Sequence, residues 1–255
     1  MCTMVVLYRP GHPWPLLFAA NRDEMADRPW APPARHWQDR ANVVAGRDEL
    51  AGGTWLGLND YGLLAGISNR EGSLGPAPDK RSRGELVLEA LDHSDAKDAA
   101  NALADVDVNA YRPFNMIVGD NRDVFWLCNR GGKNGPRGGQ MVVNAVPPGI
   151  SMVTSRDRND AKSPRIHAYL PRFEAAEFPD PDAGEWGAWE ALLASRVHDL
   201  ESGPSAAMCV VTDTNYGTLS SSLIALPAAN MEGRKPVWRF SAGCPGEVAY
   251  DAVAL

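Results

Sequence analysis

Short apolar runs separated by glycine, proline and Asn-Asp turns dominate the first 70 residues of the chain. Runs of this length that end at turn residues are typical of β-strands. The pattern predicts strands at 2–8, 16–20, 42–45, 54–58 and 63–68. The turn sequence RPGHPWP follows the first run directly, so we expect the first two strands to pair as a hairpin.

The spacing of apolar residues becomes helical after residue 82. It predicts helices at 82–91 and 94–103, then strands over 114–155, and then two further helices. The second of these carries an apolar stripe from Trp186 to Leu200, which we expect to be buried. The final runs MCVVTD, SSSLIAL, VWRFS and EVAYDAV are again typical of strands.

This alternation of strand and helix groups predicts an α+β fold with mostly antiparallel sheets. Helices covering two stacked sheets would bury the apolar faces of both elements. The length of 255 residues and the absence of a long linker favour a single domain over 1–255.

Composition and charge exclude several classes of function. The chain is 44% hydrophobic and 22% charged, with a net charge of −7, which argues against nucleic acid as the partner. No run approaches the roughly 18 apolar residues that a membrane span needs. Arg9 and Pro10 interrupt the first apolar stretch, so we expect no signal peptide and a cytoplasmic location.

The four cysteines are Cys2, Cys128, Cys209 and Cys244. They lack CxxC or zinc-like spacing, so no metal site is predicted. In a reducing compartment, free thiols are expected rather than disulfides.

Cys2 directly follows the start methionine. Removal of Met1 would leave a thiol and an α-amine on one residue, and the amine could accept the thiol proton. Asp23, near the end of the second predicted strand, could orient that amine. The alternative interpretations are that Cys2 is an incidental small apolar residue, and that NRDE (residues 21–24) is a charged strand end with an Arg–carboxylate pair.

The segments MCT, FAANRDE, AGGTWLGLNDYGLLAGISNR and YGTLSSS together resemble the NRDE-motif family, the homologues of the transport and Golgi organisation protein. The resemblance is densest over the first 70 residues. YGTLSSS matches less well, because the family usually has arginine where Leu219 stands. The family in turn resembles the cysteine N-terminal-nucleophile hydrolases, which include penicillin V acylase and conjugated bile acid hydrolase. This resemblance implies a four-layer αββα sandwich and the cleavage or transfer of acyl groups from linear amides or thioesters.

The hydrolase pattern, laid on this sequence, implies specific site residues. Cys2 would be the nucleophile, Asp23 the residue that orients it, and Asn69 a donor to the oxyanion. Asn21 and Arg22 would support them.

The sequence departs from the hydrolase pattern at two positions. The arginine of the pattern falls on Ala20, and Arg22 is two residues away on the same strand face. A second oxyanion asparagine falls on Ser155, whose hydroxyl can still donate a hydrogen bond. We therefore include Ser155 as a binding residue, together with Trp55 of the glycine-tryptophan block.

The family resemblance also implies a competing class of function, because eukaryotic members are implicated in haem trafficking and in lipid or acyl-CoA metabolism. Haem needs axial ligands such as His or Cys. Cys244, in a Cys-Pro dipeptide, and Cys2 are candidates, although a turn is the simpler interpretation of Cys244. No recognisable ligand pair is formed by His36, His93, His167 and His198. For the acyl-transfer function we expect no cofactor and a small-molecule acyl substrate. For the alternative, haem or an acyl lipid would be the ligand.

Overall fold

The computed structural model describes residues 2–131, 139–231 and 233–255. The chain divides into two compact units. The first comprises residues 1–28 and 148–254, and the second comprises residues 29–147 with Leu255. The single domain over 1–255 stays a prediction.

The elements have the following bounds. The strands are β1 (Thr3–Tyr8), β2 (Leu16–Met25), β3 (Trp30–Ala34), β4 (Val43–Asp48), β5 (Leu56–Asn59), β6 (Leu64–Asn69), β7 (Phe114–Gly119), β8 (Val124–Asn129), β9 (Val142–Ala145), β10 (Gly149–Val153), β11 (Tyr216–Leu226), β12 (Val237–Ser241) and β13 (Asp251–Ala252). The helices are α1 (Gly84–Leu91), α2 (Ala96–Ala104), α3 (Pro164–Ala175) and α4 (Gly187–Leu193).

The first unit is built on an antiparallel sheet with the order β10-β1-β2-β11-β12-β13. The predicted β1–β2 hairpin is confirmed, with Thr3 opposite Asn21. Helices α3 and α4 contribute Tyr169, Phe173 and Trp189 to a buried core on this sheet. Because β-strand side chains alternate between faces, every second residue of β1 and β2 joins this core.

The second unit is built on an antiparallel sheet with the order β3-β4-β5-β6-β7-β8-β9. Helices α1 and α2 supply Leu86, Leu91 and Leu103 to its core. Each unit thus pairs a sheet with a helical layer, and the predicted α+β class is confirmed.

Steric constraints explain the glycine-tryptophan block in the second unit. A Cβ at Gly46 would lie 2.4 Å from the ring of Trp55, and one at Gly53 would lie 2.6 Å from the backbone of Gly84 at the start of α1. Trp55 also contacts Trp30 edge to face, with 5.8 Å between ring centroids. These positions need glycine because neighbouring groups occupy the space of a side chain.

The buried stripe predicted from Trp186 to Leu200 is wrong in its second half. Helix α4 ends at Leu193. Val197 is 59% exposed and Leu200 is 96% exposed. Beyond α4 the chain leaves the helical path, because the Ser195 carbonyl accepts a hydrogen bond from the backbone N–H of Cys209.

Two of the C-terminal strand predictions also need correction. MCVVTD forms only an isolated bridge between Val211 and Gly217, and EVAYDAV keeps only the two-residue strand β13. Cys209 lies in the first segment and is joined to Cys244 by a disulfide. The prediction of free thiols is therefore wrong for this pair and confirmed for Cys2 and Cys128. Sequence spacing could not reveal the bond, because folding joins cysteines that are 35 residues apart.

No helix within the described residues is long and apolar enough to cross a membrane.

Candidate functional site

Cys2 lies immediately before β1 and is partly buried. Its Sγ donates a hydrogen bond of 3.7 Å to the backbone oxygen of Asp23 in β2. The hairpin register explains this contact: Thr3 faces Asn21, so the residues that precede β1 lie beside the NRDE segment. The two sequence features that the resemblance singled out are therefore adjacent in the first unit.

The Asp23 carboxylate is completely buried, and the side chains of Arg165 and Thr218 donate hydrogen bonds to it. Arg165 Nη1 donates to Oδ2 at 3.0 Å, and Thr218 Oγ1 donates to Oδ1 at 2.6 Å. A buried carboxylate needs such partners, because loss of hydration is costly for a charged group.

Thr218 owes its orientation to a β-bulge in β11. The register of β11 with β2 shifts between Thr218 and Ser220. The backbone N–H of Val210 donates to Thr218 Oγ1 at 2.8 Å, which leaves the hydroxyl proton for Asp23. A bulge re-aims a side chain in this way at many functional sites.

Arg165 is a site residue that sequence reasoning missed. It lies in the first turn of α3, whose N-cap Ser163 accepts a hydrogen bond from the backbone of Ile166. The ion pair joins residues 142 positions apart, so no local pattern could reveal it. An arginine in the first helical turn is nevertheless a signal, since a positive charge is unfavourable at that end of the helix dipole.

Asn21 is held by backbone groups of the first unit. Its Nδ2 donates to the carbonyls of Leu193 and Met208, each at 2.9 Å, and its Oδ1 accepts from Ser221 at 2.7 Å. These bonds anchor the end of α4 to the sheet. Arg22 is buried and, by strand alternation, lies on the opposite face from Asn21 and Asp23.

Burial raises the pKa of the Cys2 thiol above its ordinary value, and the negative charge of Asp23 raises this pKa further. The positive charge of Arg22 acts in the opposite direction. The pKa of Tyr216 is also raised, first by burial and then by the charges of Asp23 and Cys2. The Tyr216 hydroxyl lies 3.5 Å from the backbone oxygen of Asp23.

The structure places the remaining predicted residues as follows. Ser155 is buried two residues beyond β10, at the end of the sheet where β1 begins, since Val153 pairs with Met4. Asn69 ends β6 in the second unit, opposite Phe114. The roles predicted for Ser155, Asn69 and Trp55 stay predictions.

Three of the candidate haem ligands have other partners. Cys244 is in the disulfide, and ring nitrogens of His36 and His198 lie 2.8 Å from the backbone oxygens of Pro32 and Asp199. Across the described part of the chain, no group of three or more His, Cys, Asp or Glu residues is arranged to hold a metal ion.

The fold is that of the N-terminal-nucleophile hydrolases, as comparison with solved structures shows. Conjugated bile acid hydrolase from Clostridium perfringens, in a mutant form, aligns with a TM-score of 0.55 and 11% identity over 100% of this chain and 92% of that one. The N-acylethanolamine-hydrolyzing acid amidase ortholog of Caenorhabditis elegans aligns with a TM-score of 0.53 and 14% identity over 87% and 92%. Penicillin V acylase from Agrobacterium tumefaciens aligns with a TM-score of 0.50 and 14% identity over 94% of this chain and 83% of that one.

The chain belongs to the Transport and Golgi organisation 2 family, whose model matches residues 1–231. A homologue from Bos taurus is 30% identical over 247 residues, which cover 84% of this chain and 82% of the bovine protein. A homologue from Mus musculus is 38% identical over 112 residues, which cover 41% of this chain and 38% of the mouse protein. The resemblance to the NRDE-motif family is thereby confirmed.

Proposed function

We propose that this protein cleaves or transfers an acyl group from a linear amide or thioester, with Cys2 as nucleophile once Met1 has been removed. The observation that carries the proposal is the partly buried Cys2 thiol beside Asp23, whose carboxylate is held by Arg165 and Thr218. The three solved structures are those of an amidase, an acylase and a hydrolase. They support this reaction class.

In the first half of the reaction, the α-amine of Cys2 takes the thiol proton and Sγ attacks the substrate carbonyl carbon. A C–S bond forms and the carbonyl electron pair moves onto oxygen. The C–N bond then breaks, and the leaving amine takes the proton from the α-ammonium. In the second half, the α-amine removes a proton from water, which attacks the thioester carbon and releases the acid and the Cys2 thiol. An acceptor amine in place of water would give acyl transfer.

Removal of Met1 is central to this proposal because of the environment of Cys2. Burial and Asp23 both raise the pKa of its thiol, so a thiol without a neighbouring base would be largely protonated at neutral pH. A free α-amine supplies that base, and we assign its orientation to the Asp23 carboxylate. Asn69 and Ser155 are proposed as oxyanion donors, with Asn21 and Arg22 in support.

Burst kinetics with an acyl p-nitroanilide test the proposal. We expect one equivalent of p-nitroaniline per chain and an acyl adduct on Cys2 in the intact mass. Cys2→Ala should abolish both signals. Cys128→Ser, which alters the buried free cysteine of the second unit, is the matched control and should retain them.

A chain with an extension before Cys2 that cannot be removed tests the α-amine. It should fold but give no burst. A burst in this chain, or one that survives Cys2→Ala, would contradict the mechanism. No burst or adduct across short, long and aromatic acyl anilides and thioesters would contradict the function.

A second candidate is carriage of haem or an acyl lipid without catalysis. The raised pKa of the Cys2 thiol favours it, because a protonated thiol is a weak nucleophile, whereas a haem iron that bound Sγ would displace the proton. Titration with haemin distinguishes the two candidates. A Soret band that appears with the wild type and is lost in Cys2→Ala would support haem carriage through the Cys2 thiolate. A haemin spectrum that the wild-type protein leaves unchanged would exclude haem carriage.

A further inference from the structure

Arg165 occupies a position that local rules disfavour. It lies in the first turn of α3, where the helix dipole opposes a positive charge, and its side chain is only 4% exposed. Buried ion pairs are often no more stabilising than apolar residues of similar size. Departures of this kind from local preference are expected at functional positions.

The contacts of Arg165 join three separate segments of the first unit. Nη1 donates both to Thr3 Oγ1, at 2.6 Å, and to Asp23 Oδ2, at 3.0 Å. Nη2 donates to the backbone oxygen of Ser205 at 2.7 Å. A single nitrogen therefore connects the residue that follows Cys2 with the side chain of Asp23, whose backbone oxygen accepts the hydrogen bond from Cys2 Sγ.

We propose that Arg165 is a positioning residue, whose bridge between the Thr3 hydroxyl and the Asp23 carboxylate holds Cys2 in place against Asp23. The proposal rests on Cys2 being the nucleophile of the proposed function. Without the bridge, the start of β1 can shift relative to β2. A displacement of about 1 Å can cost a catalytic site on the order of a hundredfold in rate.

The bridge has an electrostatic part as well as a geometric part. The charged and titratable groups around Cys2 and Asp23 are the N-terminal amine, Arg22, Glu24, Arg165 and Tyr216. Loss of the Arg165 charge would leave the negative charge of Asp23 less compensated, which disfavours the Cys2 thiolate. The geometric part depends on Thr3 and the electrostatic part does not, so the two can be separated.

The experiment measures alkylation of Cys2 by iodoacetamide against pH in the full chain, with peptide mapping to separate Cys2 from Cys128. For Arg165→Met we expect a rate about tenfold lower at pH 7.5 and a midpoint about one pH unit higher. Arg165→Lys keeps the charge and should restore the midpoint but not the full rate. Thr3→Val breaks the bridge without changing charge, so it should lower the rate and leave the midpoint unchanged.

Arg172→Met is the matched control, since Arg172 lies on the same helix with its guanidinium over the ring of Tyr169. It should leave both rate and midpoint unchanged. A folded Arg165→Met protein with a wild-type alkylation profile would overturn the proposal, even if its melting temperature is lower. If Arg165→Met does not fold, wild-type rates in both Arg165→Lys and Thr3→Val would overturn it.

Alkylation does not require a substrate, so this test is independent of amide turnover. Wild-type protein that alkylates at Cys2 but turns over no acyl compound would contradict the proposed function alone.

Discussion

Cys2 and Cys128 are the two free cysteines of the chain, one in each compact unit. Both have an arginine near the sulfur. Arg22 contributes a positive charge at Cys2, and Arg70 Nη1 lies 3.1 Å from Cys128 Sγ. By the criterion of a neighbouring arginine alone, both would be candidate nucleophiles.

The surroundings of the two thiols differ in access and in charge. Cys128 is fully buried inside β8, and its arginine is shared with the amide of Asn115. Cys2 is partly exposed ahead of β1 and lies beside the carboxylate network of Asp23. Access and the neighbouring carboxylate network therefore distinguish the two thiols, whereas a nearby cation does not.

The largest expected effect comes from Asp23. Asp23→Ala leaves the Arg165 guanidinium buried without its carboxylate, and should lower the free energy of unfolding by about 3–5 kcal/mol. Asn115→Ala removes the acceptor of Arg70 and Trp126, and because Arg70 is partly exposed the loss should be about 1–3 kcal/mol. Urea unfolding of both variants measures this. A smaller loss of unfolding free energy for Asp23→Ala than for Asn115→Ala would contradict the expectation that the buried Asp23–Arg165 pair contributes more than the partly exposed Asn115–Arg70 hydrogen bond.

The Cys209–Cys244 disulfide provides the next largest effect. A bond between cysteines 35 residues apart should contribute on the order of 3–4 kcal/mol through the entropy of the unfolded chain. We expect dithiothreitol to lower the urea midpoint of the wild type and of Cys128→Ser alike. The double variant Cys209→Ser, Cys244→Ser should start at the lower midpoint and not respond to reductant. A response in the double variant would show that another group is being reduced.

Gly46→Ala should have an intermediate effect in the second unit. Its Cβ would lie 2.4 Å from the Trp55 ring, and overpacking of this kind costs about 1–3 kcal/mol. Gly187→Ala is the control, since no atom lies within 4 Å of its Cβ position and alanine suits α4. Thermal melts compare the two variants. Equal stability of the two variants would contradict the close packing of Gly46 against the Trp55 ring.

The smallest expected effect is on the pH dependence of stability. The pKa values of Cys2 and Tyr216 are raised, so the folded chain keeps these protons at pH values where the unfolded chain releases them. Stability is therefore fully present below about pH 8.5, the ordinary pKa of cysteine, and falls as pH rises. Urea midpoints from pH 7 to 11 measure this. Tyr216→Phe should flatten the upper part of the curve, whereas Tyr61→Phe, at an exposed position, should not.

Local pattern explains which parts of the fold were predictable. The β1–β2 hairpin was predicted because a turn rich in proline and glycine joins two apolar runs. The Trp186–Leu200 stripe misled because apolar spacing continued past the residue where hydrogen bonds end α4. Tertiary contacts decided that boundary, and no local signal marked it.

Only the part of the candidate site that the β1–β2 hairpin brings together was predictable from the sequence. The adjacency of Cys2 and Asp23 follows from strand pairing over about twenty residues. Arg165 and Thr218 reach Asp23 from 142 and 195 residues away, and the disulfide likewise depends on the completed fold. Side chains brought together only by tertiary structure leave little trace in a single sequence.

The most direct test of the central claim is the rate of alkylation at Cys2 relative to Cys128 in one folded chain, read by peptide mass at neutral pH. We expect Met1 to be absent, Cys2 to be modified faster than a free thiol, and Cys128 to be protected until the protein unfolds. Retained Met1, or a Cys2 that reacts no faster than a free thiol, would contradict the assignment of Cys2 as an activated nucleophile.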